Sequence, residues 1–221
     1  MNHERHIKWW QYAIFYLIFW LVWAAFTLGV KPALEMFNPW MAEIIQEICK
    51  CILWISPAVY CIGRFSDDLE ISWKEMFCFK IPVKKLLPWL FLMIVIPLWN
   101  AYRANGSIGI HSDFRLYSLI GGFITVGITE EIVFRGWLYN VTLKKLPSGY
   151  AEVLNAVLFL LIHIPIWQLH GELATNLLSG AWVSIVILSY LFSWIFKETR
   201  NLWVPIILHM IWDFVVIILM G

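Results

Sequence analysis

Ionisable side chains occur inside three apolar stretches in the second half of this 221-residue chain. An ionisable group within a membrane-spanning helix costs several kcal/mol unless it is paired or hydrated, so such groups mark candidate functional sites. Carboxylates and imidazoles are also side chains that transfer protons in catalysis. In chain order the residues are Glu130, Glu131, Arg135, His163, His209 and Asp213.

Helical spacing places the two adjacent glutamates on different faces of their helix. Glu131 and Arg135 are four residues apart and share a face, where the carboxylate and the guanidinium can neutralise each other. Glu130 is rotated by about 100° and faces a different neighbour. The spacing therefore predicts one paired glutamate and one unpaired glutamate, and the unpaired carboxylate is a candidate general base that takes a proton from water.

The predicted depths of these residues in the membrane indicate that the acidic and imidazole groups can meet. Counting about 1.5 Å per residue from the predicted cytoplasmic ends, Glu130 and His209 lie about 12 Å deep and His163 about 18 Å deep. Asp213 is one turn beyond His209, so its carboxylate can orient the imidazole or face the same cavity. The three helices are therefore predicted to present these groups at one level.

Each feature also has a structural explanation. A Glu131–Arg135 pair is common near membrane interfaces, and His163 alone can be a hydrogen-bonded packing residue. Phe159, one turn before His163, is predicted to pack. Packing explains the whole combination less well, because acidic and imidazole groups occur on three helices at similar depth.

The composition indicates that the elements carrying these residues lie in a membrane. Hydrophobic residues make up 61% of the chain and charged residues 14%, against about 45–50% and about 25% in average soluble domains. A bilayer core needs about 20 apolar residues per helix, so the sequence predicts an all-α polytopic membrane helix bundle of about seven (six to eight) transmembrane helices. The predicted spans are residues 10–30, 44–63, 86–102, 116–138, 151–169, 174–196 and 201–220.

The Lys and Arg residues outside the predicted spans indicate how the protein is oriented in the membrane. Eleven Lys and Arg, Arg5 among them, fall on the N-terminal side and four on the other, Lys31 and Lys50 included, which favours a cytoplasmic N-terminus and a site nearer the cytoplasmic side. The net charge of +1 offers no basic surface for nucleic acid. A single integral membrane domain over residues 1–221 is expected. Small residues in the fourth span, Gly127 among them, would let neighbouring backbones approach closely.

The three clusters resemble the motif set of the CPBP membrane proteases, which include type II CAAX prenyl endopeptidases and bacteriocin-processing or immunity proteins. That family carries EExxxR, FxxxH and Hxxx[N/D] on separate helices. The matching residues are Glu130, Glu131 and Arg135, then Phe159 and His163, then His209 and Asp213. The resemblance covers the motif-bearing core at about residues 116–220. It implies an intramembrane endopeptidase in a bacterial cell membrane, surrounded by lipids, whose substrate is a peptide or membrane protein, lipidated or not.

The resemblance also implies roles for single positions. Glu130 would be the general base that activates a water, and His163 would help to hold that water. His209 and Asp213 would polarise the carbonyl and stabilise the oxyanion. The supporting residues would be Glu131, Arg135 and Phe159.

Asp213 departs from the prenyl-protease branch, which commonly has Asn there. An amide can donate a hydrogen bond to an oxyanion, and an ionised carboxylate cannot. Either Asp213 is protonated, or it orients His209 and the imidazole alone donates. This difference places the chain closer to the broader bacterial-type group.

No cofactor is predicted, and three alternatives stay open. His163 and His209 with Asp213 or Glu130 make a plausible catalytic zinc set, although HExxH is absent. A non-catalytic membrane immunity or scaffold protein could keep the same residues for folding. Ionisable residues within spans also occur in transporters and proton relays.

Overall fold

A computed structural model describes residues 6–220 of the protein. Residues 1–5 and 221 lie outside this part, and with them Arg5, which contributes to the predicted orientation. All regular elements in the described part are helical. The predicted all-α polytopic helix bundle is therefore confirmed.

Seven long helical stretches run through the described part of the chain. In order they are α1 (Trp9–Leu34), α2 (Pro39–Arg64), α3 (Val83–Asn105), α4 (120–145), α5 (Ser148–Leu169), α6 (Ala181–Thr199) and α7 (Trp203–Met220). All except α4 are long and apolar enough to cross a membrane. Short helices lie in the connections at Ser66–Asp68, Trp73–Met76 and Leu173–Leu178.

Two helices begin five or more residues away from their predicted starts. α2 begins at Pro39 rather than at 44, because the side chain of Asn38 accepts a hydrogen bond from the backbone N–H of Trp40 at 3.0 Å and proline fits the first turn. α6 begins at Ala181 rather than at 174. Gly180 has a φ of 77°, a left-handed conformation that ends the preceding short helix and starts a new one.

Lys50 lies in the middle of α2 and is buried. Its predicted place among the loop charges on the outer side is therefore wrong. A buried lysine requires a partner inside the protein, because an unpaired charge away from water is costly. Three positive charges then remain on that side in place of four.

α4 is the central helix and has an unusual geometry. Two π-helical segments, Ile120–Thr125 and Ile132–Tyr139, flank the α-helical segment Val126–Glu131. All residues from 129 to 142 are buried. Other helices, not lipid, therefore surround the charged part of α4, which is where charged residues are tolerated in membrane proteins. π-Helical turns are frequent at functional sites.

Aromatic side chains hold α1 and α2 against α4. The ring of Trp54 on α2 contacts Phe19 on α1 and Phe134 on α4 edge to face, with ring centroids 5.0 and 6.1 Å apart. Phe15 contacts Trp137 in the same way at 5.7 Å. Each such pair contributes about 0.5–1.5 kcal/mol beyond its buried area. The N-terminal helices are thus fixed beside the residues that carry the motifs.

Gly127 allows α7 to approach α4 closely. A Cβ atom at this position would lie 2.6 Å from Cγ of Met210 and 3.1 Å from the carbonyl oxygen of Ile206. This close contact agrees with the expectation for small residues in this span. It brings His209, the residue before Met210, alongside the glutamates of α4.

Candidate active site

The imidazole of His209 lies between the carboxylates of the two adjacent glutamates. Its Nδ1 is 2.7 Å from Oε1 of Glu131, and its Nε2 is 4.0 Å from Oε2 of Glu130. Nε2 also lies 3.3 Å from Oδ2 of Asp213, one turn further along α7. Because an ionised carboxylate can only accept a hydrogen bond, Nδ1 donates to Glu131. The ring is thereby held by groups from two helices.

Glu131 and Arg135 form the pair that their spacing predicts. Nη1 of Arg135 donates to Oε1 of Glu131 at 2.8 Å, and both side chains are fully buried. Nη2 donates to the hydroxyl and to the carbonyl oxygen of Ser189 on α6, at 2.9 and 3.0 Å. The guanidinium also lies 4.7 Å from the ring centroid of Phe159. Arg135 therefore ties α4, α5 and α6 together around the carboxylate that orients His209.

Glu130 is also paired, so the prediction of an unpaired glutamate is wrong. Nζ of Lys50 donates to Oε1 of Glu130 at 3.0 Å, and the two side chains are only 9% and 10% exposed. The rotation of about 100° does direct Glu130 toward a different neighbour from Glu131, namely α2. Spacing within one helix could not reveal a cation on another.

His163 lies at a break in α5. The helix ends at Leu161 and resumes at Ile164, with Pro165 in the new first turn. Nδ1 of His163 donates to the carbonyl oxygen of Phe159 at 2.8 Å, so the neutral ring presents Nε2 as an acceptor. The ring centroid of Phe159 is 5.0 Å from that of His163 and 6.2 Å from that of His209. Phe159 thus packs between the two histidines.

A cavity of about 170 Å³ reaches the carboxylate of Glu130. It is large enough for a few water molecules. His209 and Asp213 are not among its lining residues. The residues that line it are Trp23, Lys31, Gln46, Glu47, Lys50, Trp54, Glu130, Ile162, His163 and Ile166.

The cavity extends toward the end of the bundle that carries the α1–α2 connection. A second cavity of about 300 Å³ shares Lys31 and Gln46 with the first and is also lined by Glu35 and Phe37. That the site lies nearer the cytoplasmic side stays a prediction, but the position of Glu130 along α4 differs from the predicted one. α4 continues to 145, not 138, so Glu130 is closer to the start of α4 than to its end.

The zinc alternative requires at least three metal-ligating side chains arranged around one point. Within residues 6–220, no three His, Cys, Asp or Glu side chains are arranged to hold one. The zinc alternative therefore has no preformed ligand set.

Comparison with known proteins supports the resemblance of the motif-bearing core. Residues 112–215, nearly half of the chain, match the family model described as type II CAAX prenyl endopeptidase Rce1-like. The matched segment contains every residue that the motifs assign to the site, and the resemblance is confirmed. No curated protein and no solved structure matches the chain. The match supports an intramembrane protease function in general, and with the six apolar helices it indicates an integral membrane protein.

Proposed function

We propose that this protein, whose residues 112–215 match type II CAAX prenyl endopeptidases, hydrolyses a peptide bond within the membrane by means of a glutamate-activated water. One observation carries the proposal: Glu130 and His163 line a cavity of about 170 Å³ among the helices, next to a histidine held between carboxylates. The substrate is a peptide or membrane-protein segment, with or without a lipid group. Peptide processing, including bacteriocin maturation and self-immunity, is the proposed context.

The reaction begins with a water held between the carboxylate of Glu130 and Nε2 of His163. Glu130 takes a proton from this water as the hydroxide attacks the carbonyl carbon of the substrate. His209, protonated between Glu131 and Asp213, stabilises the oxyanion that forms through its positive charge and not through a direct hydrogen bond. The tetrahedral intermediate then collapses, and Glu130 returns its proton to the leaving amine.

The setting is a bacterial cell membrane with the N-terminus in the cytoplasm. In that orientation the cavity opens toward the outer side, because it extends to the α1–α2 connection. A water and a polypeptide would reach Glu130 from that side. The surrounding lipids contact the apolar faces of α1, α2 and α3, where large side chains are exposed.

The proposal predicts that Glu130→Gln abolishes peptide cleavage. Glutamine has nearly the same shape but cannot accept the proton of the water, so kcat/KM should fall by about 10²–10⁴-fold. The measurement uses purified protein in detergent micelles and a library of quenched fluorogenic peptides. Membrane peptide termini from cells with wild type or Glu130→Ala provide the matching cellular comparison.

The matched control is Glu152→Gln. Glu152 is another buried glutamate paired with a lysine at 3.0 Å, but it does not line the cavity. This variant should keep the wild-type rate. Cleavage retained by Glu130→Gln would contradict the proposal and favour a non-catalytic role. Loss of cleavage on chelation, with recovery on adding zinc, would instead support the zinc alternative.

A further inference from the structure

We infer that Lys50 is a positioning residue of the proposed reaction, which keeps the carboxylate of Glu130 ionised and holds one of its two oxygens in place. The inference rests on the proposed function. Lys50 lies in the N-terminal half of the chain, outside the segment 112–215 that matches the family. It was not a candidate on sequence grounds either.

The contact between Lys50 and Glu130 is short and shielded. Nζ lies 3.0 Å from Oε1, and both residues are buried among helices. A carboxylate removed from water keeps its charge only when a cation or several donors compensate it. A protonated carboxyl group could not take a proton from water. The ammonium of Lys50 is therefore what allows Glu130 to act as a base at this depth.

Two indole rings fix the position of the ammonium. Nζ of Lys50 lies 4.9 Å from the ring centroid of Trp54 and 6.0 Å from that of Trp23. Aromatic faces attract cations, and more strongly where water is excluded. Trp54 is itself buried in the aromatic core. The lysine head group is thus located by α1 and α2.

The acidic neighbour of Lys50 is satisfied by other groups. Glu47, one turn earlier on α2, accepts hydrogen bonds from Gln46 at 3.1 Å and from the hydroxyl of Thr125. Lys50 donates to Glu130 instead. Because it engages Oε1, the second oxygen of Glu130 is left on the side of His209, at 4.0 Å from Nε2.

The number of positive and negative charges around Glu130 also supports a role for Lys50 in keeping Glu130 ionised. The three carboxylates of the cluster carry three negative charges when ionised, and Arg135 with a protonated His209 supplies two positive charges. Lys50 supplies a third positive charge, while Glu47, which is buried one turn earlier on α2 and lines the same cavity, adds a further carboxylate beside it. The motif residues alone would leave one negative charge without compensation, and the pair with Lys50 assigns it to Glu130. The carboxylates counted are Glu130, Glu131 and Asp213.

The test compares Lys50→Met and Lys50→Arg with a matched control, using a quenched peptide that the wild type cleaves. Lys50→Met should lower kcat by about 10²-fold or more, with KM changed by less than about twofold, because it acts on the base and not on substrate binding. Lys50→Arg should recover most of the rate. The control is Lys197→Met, since Nζ of Lys197 also lies 3.0 Å from a buried glutamate, outside the cavity. It should keep the wild-type kcat.

A second measurement requires no peptide, and its first comparison requires no lysine variant. The infrared difference spectrum between wild type and Glu130→Gln at pH 7 isolates the carboxyl group of residue 130. An ionised Glu130 contributes carboxylate bands and no carboxylic-acid band. If Lys50→Met folds, its spectrum should gain a carboxylic-acid band that the double variant Lys50→Met/Glu130→Gln lacks. The double variant removes both buried charges, which favours folding.

The outcomes separate this inference from the proposed function. Cleavage retained by Glu130→Gln would overturn the proposed function and the role of Lys50 with it. An inactive Glu130→Gln together with wild-type kcat in Lys50→Met would overturn only the role of Lys50. A carboxylic-acid band of Glu130 in the wild type would overturn both, because a protonated carboxyl group cannot take a proton from water. Loss of kcat in Lys50→Met, recovery in Lys50→Arg and an ionised Glu130 would establish it.

Discussion

His209 is the residue that joins the catalytic and the supporting parts of the site. Its Nδ1–H donates to Glu131, whose position is set by the buried guanidinium of Arg135. A base or donor that is oriented by a third group in this way recurs in hydrolytic sites. Nε2 is then directed toward Asp213 and Glu130. The ring therefore has one defined orientation relative to the proposed base.

In the proposed mechanism Asp213 acts through His209, and this predicts how substitutions at position 213 behave. Its Oδ2 lies 3.3 Å from Nε2 of His209, and its side chain does not line the cavity. Asparagine keeps an oxygen that can accept a hydrogen bond from Nε2–H. Asp213→Asn should therefore keep kcat/KM within about tenfold of wild type, whereas Asp213→Leu, which lacks an acceptor, should lower it by about 10²-fold.

The measurement is kcat/KM on the same quenched peptide, with Asp113→Asn as a control in the exposed α3–α4 connection. Equal losses in the asparagine and leucine variants would show that the charge of Asp213 is needed and not its acceptor oxygen. That outcome would remove the physical basis for treating Asn and Asp as equivalent at this position.

Among the helices, α4 shows why spacing alone predicts some contacts and misses others. The Glu131–Arg135 pair follows from a four-residue interval, which survives in the structure even though Arg135 lies in a π-helical segment. The end of α4 at Lys145 was missed, because the apolar pattern weakens after 138 while the helix continues as a buried element. That error moved the predicted depth of Glu130.

The lack of a side chain at Gly127 lets α4 and α7 approach closely, and we expect the site to depend on this approach. A Cβ would lie 3.1 Å from the backbone oxygen of Ile206, which cannot rotate away as the side chain of Met210 can. Gly127→Ala should therefore separate the two helices, lower the free energy of unfolding by about 1–3 kcal/mol and reduce peptide cleavage. Unfolding in mixed micelles and kcat measure the two effects.

The control for this substitution is Gly63→Ala in α2. A Cβ at Gly63 meets nothing within 4 Å, and alanine favours a helix over glycine by about 1 kcal/mol. Gly63→Ala should thus be neutral or stabilising. Wild-type stability and rate in Gly127→Ala would mean that α7 can move without disturbing His209, and that the close approach is not required.

For the whole molecule, the site depends on both halves of the chain, and the sequence predicted only one of them. The motif residues lie on α4, α5 and α7 and could be selected because they are charged within apolar stretches. Lys50 and Trp54 on α2 could not be selected in this way. The sequence offers Lys50 only as one of the charges that set the orientation, and a tryptophan in an apolar helix is ordinary. Only the packing of α2 against α4 places them beside Glu130.

Asp68 connects residues 6 and 7 to the last residue of α4 at one end of the bundle. This carboxylate is buried in the α2–α3 connection and accepts a hydrogen bond from the backbone N–H of Ile7 at 2.6 Å. Nζ of Lys145, the last residue of α4, lies 3.0 Å from its other oxygen, and Nδ1 of His6 lies 3.4 Å from that oxygen. One carboxylate thus joins three distant parts of the chain.

The pKa of Asp68 predicts how this attachment depends on pH. Burial alone would raise the pKa of Asp68, but the hydrogen bonds from Ile7 and Lys145 outweigh it and hold the pKa below its usual value. A carboxyl group whose pKa is lower in the folded protein stabilises it above the unfolded pKa of about 3.9, and this stabilisation is lost as pH falls toward the folded pKa. Unfolding between about pH 6 and pH 2 should therefore show a smaller loss of stability in Asp68→Asn than in wild type.

The exposed neighbour provides the control, since Asp67→Asn should leave the wild-type slope unchanged. An equal slope in wild type and Asp68→Asn would mean that Asp68 has the same pKa in the folded and unfolded chains, and that the attachment of the N-terminal segment does not depend on its charge.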